Sequence, residues 1–346
     1  MNTVFRHRLA WPIVTLVLLL AVNAAFNPQF LHISWRDGHL YGSLVDILNR
    51  AAPLALVSIG MTLVIATRGI DISVGAVVAI AAAIAAWMIG GTLVVTDGVP
   101  SHVSRFPMPV AIAGALGVAL LCGLWNGVLV AKVGMQPIIA TLILMVAGRG
   151  IAQLITNGQI VTIYYPPYFF RGSGYLLGLP FSVFIVAGVF AVVSLAMSRT
   201  ALGLFIQAVG INPSAARVAG VKARGLTVCV YAFCGLCAGV AGLLVSSNVK
   251  SADGNNAGQL MELDAILAVT LGGTLLTGGR FSLAGSVLGA LIIQTLTYAI
   301  YSLGVPPEVN LVVKAVVVFA VMLLQSAEFR QAVRALAFRA PLGARP

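Results

Sequence analysis

Ionisable and amide side chains stranded inside long apolar runs are the first candidates for chemistry in this chain. Placing such a charge in hydrocarbon costs roughly 2.5–3.5 kcal/mol on insertion scales, so each needs a partner or a task. Asn49 and Arg50 open one apolar run, with Asp46 four residues before Arg50 on the same helical side. That spacing suits an Asp46–Arg50 ion pair at the membrane edge, or else a polar position on a solute path. Arg149 lies between Gly148 and Gly150, and Gln153 follows one turn later. The two either face a solute path or tie neighbouring helices together. Lys314 can pair with Glu308 or stretch its stem to the interface. Asn126 and Gln294 are neutral groups that line a wet path or, the plainer reading, hydrogen-bond between helices.

No pattern for a catalytic centre accompanies these residues. There is no G-x-x-x-x-G-K-[ST] phosphate loop, no H-E-x-x-H and no G-x-S-x-G. His7, His32, His39 and His102 sit at or beyond the ends of apolar runs. Cys234 and Cys237 form a C-x-x-C, but inside an apolar, glycine-rich segment they read as small packing residues. The chain is not expected to be an enzyme or to hold a metal or cofactor of its own. Acids within apolar runs are scarce, which argues against a proton-coupled carrier.

The elements that must position these groups are membrane helices. The 346 residues are 60% hydrophobic and 8% charged, with mean hydropathy +1.04. Soluble domains carry about 25% charged residues, and a span needs roughly 20 apolar ones. Ten segments qualify, at about 9–26, 44–67, 71–91, 108–131, 137–156, 181–198, 224–247, 263–277, 283–303 and 309–326. The expectation is an all-α polytopic transmembrane bundle of about ten segments (eight to ten), forming a single domain over residues 1–346. Arg6-His7-Arg8 before the first run reads as the flank of an uncleaved span. Segments 71–91 and 263–277 begin at Asp71 and Asp264, and each suits a broken helix buried in protein. Gly123/Gly127, Gly235/Gly239 and Gly285/Gly289 provide small-residue faces for close packing.

The net charge of +11 is usually a nucleic-acid cue, yet the basic residues flank apolar runs. With a cytoplasmic N-terminus, Arg6, Arg8, Arg68, Lys132, Arg199, Arg217, Lys222, Arg224, Arg280, Arg330, Arg334, Arg339 and Arg345 share one side. Only Arg36, Arg105, Arg171 and Lys250 face the other. This bias places both termini in the cytoplasm and points to lipid, not nucleic acid. Asp37, Asp97, Asp253, Glu262 and Glu308 fall outside. Residues 157–180, rich in Tyr, Phe and Pro, suit an aromatic belt or a short interfacial helix. Residues 248–262 read as an ordered polar loop.

One stretch, residues 199–224, lacks a membrane-compatible run and is basic at both ends. Gly210 can close one short helix in the left-handed conformation. Asn212 can cap the next, with Pro213 at its first position and Gly220 past its end. Two short helices with a fixed turn are expected here.

The same stretch, T-A-L-G…A-V-G-I-N…A-A…A-G, resembles the cytoplasmic coupling segment of sugar ABC-transporter permeases of the ribose/galactose/xylose class. Asn49–Ala52 with Gly60-Met61-Thr62-Leu63-Val64 is similar to the same family. So are Gly69-Ile70-Asp71-Ile72-Ser73-Val74-Gly75, Trp125-Asn126-Gly127, Gln136-Pro137 with Thr141-Leu142, and Leu271-Gly272-Gly273…Gly278-Gly279-Arg280. The tail Pro306-Pro307-Glu308…Val313-Lys314-Ala315 looks closest to a galactofuranose-type permease.

The resemblance implies a bacterial inner-membrane subunit importing a monosaccharide of galactofuranose, galactose or ribose type. It implies a cytoplasmic ABC ATPase that binds ATP and Mg, a second permease (identical or not) and a periplasmic sugar-binding protein. Coupling to the ATPase is expected over about 200–224, at Ala208, Val209, Gly210, Asn212, Ala215, Ala216 and Gly220. The path candidates are Asn49, Arg50, Asn126, Arg149, Gln153, Gln294 and Lys314. An ion-coupled secondary sugar transporter acting alone is the alternative. One departure stands out: the family reads T-G-G-I-D-L-S-V-G where this chain has Arg68 in place of the first Gly, which puts a close backbone approach there in doubt.

Overall fold

Helices form over all ten expected segments. The computed structural model describes residues 9–325 apart from 37, 91, 97, 98 and 305. In chain order the helices are α1 (Ala10–Phe26), α2 (Ser43–Ala66), α3 (Val74–Gly90), α4 (Met108–Val128), α5 (Pro137–Ile155) and α6 (Pro166–Ser173). There follow α7 (Phe181–Arg199), α8 (Ala201–Ile211), α9 (Pro213–Val218), α10 (Ala223–Val249), α11 (Met261–Leu271), α12 (Leu283–Ser302) and α13 (Pro307–Gln325). Among the described residues six helices, α2, α4, α5, α7, α10 and α12, are long and apolar enough to cross a membrane. The basic termini at 1–8 and 326–346 lie outside the described residues.

α2 is the axis of the bundle. Every residue from Ala51 to Ala66 is buried, as a helix apolar on all sides must be. α10 packs across α2, α3 and α4, and small residues set the approach. A methyl on Gly235 of α10 would stand 2.9 Å from Gly123 Cα of α4, and one on Gly60 of α2 would stand 2.9 Å from Cys234 Cα. Two of the small-residue faces therefore interlock, and Cys234 and Cys237 are buried free thiols in that contact. Gly285 and Gly289 of α12 seat on Gly272 and Ala268 of α11 in the same way.

Of the two segments expected to be broken helices, 263–277 is interrupted, whereas 71–91 is one continuous helix from Val74 to Gly90. α11 ends after 11 residues, roughly 16 Å at 1.5 Å per residue, about half of a 30 Å hydrocarbon core. Residues 272–282 then form a glycine-rich loop with Gly273, Gly278 and Gly279 at positive φ. Before α3, residues 67–73 are non-helical, and Asp71 Oδ1 accepts from the Ser73 amide (3.0 Å) and hydroxyl (2.7 Å). The starts of α3 and α11 meet, with Gly75 packed on Gly258 and Glu262.

Short hairpins decorate the loops: β1 (Ser34–Arg36) with β2 (His39–Tyr41), β3 (Thr92–Thr96) with β4 (Val99–Val103), and β6 (Tyr175–Leu176) with β7 (Leu179–Pro180). β5 (Ile160–Thr162) pairs with β8 (Ser251–Asp253), joining two loops distant in sequence. The expected polar loop is ordered around Asp253, whose carboxylate accepts from the Asn255 amide at 2.8 Å and the Asn256 side chain at 2.6 Å. Burial opposes its ionisation, but these bonds and the nearby Arg149 outweigh it and hold the carboxyl below its usual range. The expected short helix is α6, yet Tyr168 is buried rather than belt-like. Its hydroxyl reaches the Leu243 carbonyl at 3.2 Å and Ser246 Oγ at 2.7 Å.

Candidate functional site

The capped double helix forms as expected. Thr200 starts α8 by accepting from the Leu202 amide at 3.2 Å. Asn212 Oδ1 accepts from the amides of Ser214 (3.0 Å) and Ala215 (3.1 Å), with Pro213 opening α9 and Gly220 at φ +87° beyond it. Gly210 differs from expectation. It stays helical inside α8 because the turn is made by Asn212 alone, and its small size serves packing. A Cβ there would collide with the Ala66 carbonyl oxygen and with Gly279.

Three elements meet at that point. Gly279 N donates to the Ala66 carbonyl at 2.9 Å, joining the end of α2 to the glycine-rich loop. Arg68 donates from Nη2 to the Ile211 carbonyl (2.6 Å) and from Nε to the Thr277 carbonyl (3.1 Å). Arg68 itself has φ +65°, a left-handed conformation uncommon outside glycine. The backbone shape that favours Gly at this turn is therefore kept, the close approach survives, and the side chain reaches over to bind both neighbours. Beside them Ile211, Gly273, Leu275, Gly278 and Arg280 line an open cavity of about 610 Å³.

The coupling candidates divide by exposure. Val209 and Ala216 are buried and pack with Ala223 at the start of α10, so they hold the hairpin in place. Asn212, Ala215 and Gly220 are exposed and Ala208 is half-buried. Ile211 and Val218, at 60% and 91% exposure, are large apolar side chains at the tip that sequence reasoning passed over.

Toward the opposite face lies a second constellation. Arg50, Pro53 and Leu54 of α2, Val245, Asn248 and Val249 of α10, Gln259, Met261 and Asp264, and Gln294 of α12 line a chamber of about 260 Å³. Asp264 Oδ2 accepts from Lys314 Nζ of α13 at 2.6 Å, the single ion pair among the described residues. Lys314 thus has a partner on another helix; the side chain of Glu308, the partner the sequence suggested, lies outside what the structure describes. The expected Asp46–Arg50 pair does not form; both side chains are exposed. A second cavity of about 530 Å³ adjoins the chamber across Gln259 and Asp264.

The remaining path candidates make hydrogen bonds between elements. Asn49 Oδ1 accepts from Ser182 at 2.6 Å, joining α2 to α7. Asn126 donates to Ser73 Oγ (2.8 Å) and Asp71 Oδ1 (3.3 Å). Arg149 donates to the carbonyls of Ala257 (2.5 Å) and Asn255 (3.2 Å), and Gln153 to Asn255 Oδ1 (3.1 Å). The bundle also holds more acid than expected. Asp71 and Glu262 are buried at 1% and 6% exposure, Glu262 against Gly75. Scarcity of interior acids therefore no longer weighs against an ion-coupled carrier.

Comparison with known proteins supplies the remaining observations. The sequence profile of the family described as "Branched-chain amino acid transport system / permease component" matches residues 43–322. The galactofuranose transporter permease protein YtfT of Escherichia coli K12 is 51% identical over 95% of this chain and 94% of its own length. The fructose import permease protein FruF of Bifidobacterium longum is 39% identical over 92% and 87%. The ribose import permease protein RbsC of E. coli K12 is 35% identical over 91% and 92%. No solved structure matches.

Proposed function

The chain belongs to this family of transport-system permease components, a multi-pass integral membrane protein, and from that premise we propose that it imports a monosaccharide as the membrane subunit of an ATP-binding-cassette transporter. The observation that carries the reading is full-length similarity to permeases named for galactofuranose, fructose and ribose. Galactofuranose is the first substrate to test, because the 51% relative is named for it.

In this reading the α8–α9 hairpin faces the cytoplasm of a bacterial inner membrane, with both termini on that side. Asn212, Ala215 and Gly220, with the exposed Ile211 and Val218, touch a cytoplasmic ATPase that binds ATP and Mg. Val209, Gly210 and Ala216 pass its closure inward through the joint with α2. A second permease subunit completes the pathway, and a periplasmic sugar-binding protein delivers the substrate. An ion-coupled carrier would transport without the ATPase.

The test is isolation of the tagged chain from its native membrane, followed by ATPase assay in lipid nanodiscs. An ATPase should co-purify and be stimulated by sugar-loaded binding protein. Solute movement by the chain alone would overturn the reading in favour of the ion-coupled carrier.

A further inference from the structure

We propose that the 260 Å³ chamber is a monosaccharide-binding subsite on the transport path, with Arg50, Asn248, Gln259, Asp264 and Gln294 as its hydroxyl-binding groups. The proposal rests on the importer reading and adds a place and a chemistry to it.

Size is the first argument. At about 30 Å³ per water, the chamber holds roughly eight or nine waters, the scale of a single sugar ring. The second argument is unspent hydrogen-bonding capacity. The side chains of Arg50, Asn248, Gln259 and Gln294 make no hydrogen bond to any described residue. Asp264 spends only Oδ2, on Lys314. Asn248, Asp264 and Gln294 are half-buried, and partly buried polar groups are costly unless they face a wet cavity or a ligand. Here they converge with the exposed Arg50 and Gln259, from α2, α10, α12 and the start of α11.

Their chemistry selects the ligand class. Three amides offer paired donors and acceptors, which match adjacent hydroxyls that are themselves donor and acceptor. The Lys314 ammonium cancels the Asp264 charge, so the lining carries Arg50 as its one unbalanced charge. That suits a neutral polyol better than a cation. Pro53, Leu54, Val245 and Met261 supply apolar walls for the ring face, as small-molecule sites require. The walls belong to the central helix α2, to α10 and to the first residue of α11.

The experiment uses the full importer in membranes, with native cysteines replaced by alanine and Val245→Cys introduced in the apolar wall of the chamber, leaving every hydroxyl-binding group in place. Labelling by a water-soluble thiol reagent should slow about tenfold or more when D-galactose (its furanose and pyranose rings in equilibrium), D-fructose or D-ribose is added at saturating concentration. Ser302→Cys, outside the chamber, should label at one rate throughout. Gln294→Leu should lower sugar uptake about tenfold or more, and Gln294→Asn should restore part of it. If the membranes import sugar but sugar leaves Cys labelling at 245 unchanged, the subsite is wrong while the importer reading stands. Absence of any labelling at 245 would show the chamber closed to water and overturn it too. Protection by L-leucine in place of sugar would replace the ligand class. Membranes with ATPase and binding protein that import no monosaccharide would bring down the importer reading itself.

Discussion

Arg68 Nη2 lies 2.6 Å from the Ile211 carbonyl oxygen, so a cation at the end of the central helix binds the last residue of α8. The same guanidinium holds Thr277 of the glycine-rich loop. It fastens three chain segments with one side chain, at a backbone position where glycine would be easier.

Arg68→Gly removes both bonds while relaxing the left-handed backbone. Protein abundance should stay within a factor of two or so, because exposed hydrogen bonds contribute about 0.5–1.5 kcal/mol each and the relaxed turn offsets part of that. The expected loss is in coupling: more ATP hydrolysed per sugar imported, measured in proteoliposomes. An unchanged ratio would reduce Arg68 to a surface tie.

Gly210→Val forces a side chain against Ala66 and Gly279. Overpacking costs about 1–3 kcal/mol, paid at the joint. The protein should still insert, but uptake should fall while ATPase activity persists. Gly220→Val meets open space instead and acts only through its φ of +87°, so its defect should be milder. Normal uptake by both variants would count heavily against the coupling role of residues 208–220.

Asn212→Ala removes two amide bonds from the start of α9. A lost cap costs about 1 kcal/mol, confined to the hairpin. Hydrogen exchange should quicken at Ser214 and Ala215 with little change in α2. Exchange spreading across α2 would mean that the hairpin is needed for the whole bundle.

Asp264→Asn and Lys314→Gln each strand a charge, because the two side chains are only 25% and 13% exposed. Either change should destabilise toward the lower end of about 3–5 kcal/mol, and the double variant should cost clearly less than their sum. Thermal unfolding in nanodiscs measures this. Additive losses would mean that the pair is not coupled.

Local patterns carried most of what the sequence disclosed. Hydropathy placed helices over every expected segment, and Asn212-Pro213 with Gly220 marked α9 because caps and turns are decided by neighbours. Gly210 was misread for the same reason: glycine near a helix end signals a cap, but here its lack of a side chain serves contact with Ala66. Arg68 pairs with groups 209 and 143 residues away, and no spacing rule reaches that far. Asp264 and Lys314, 50 residues apart, were separated by the same limit. The chamber was half legible. Arg50 and Gln294 were singled out as polar groups in apolar runs, whereas Asn248 and Gln259 lay in what read as a loop. Glu262 read as a loop acid because its burial comes from Gly75 of α3, far away in sequence.

The joint at Ala66 has a mechanical meaning. Gly210 abuts α2 without a side chain between, Gly279 is hydrogen-bonded to the same carbonyl, and Arg68 closes the triangle. Such a linkage has almost no backlash: a displacement of α8 cannot be absorbed by side-chain rotation before it reaches α2. Any motion that α8 and α2 share at this point passes directly between main-chain atoms.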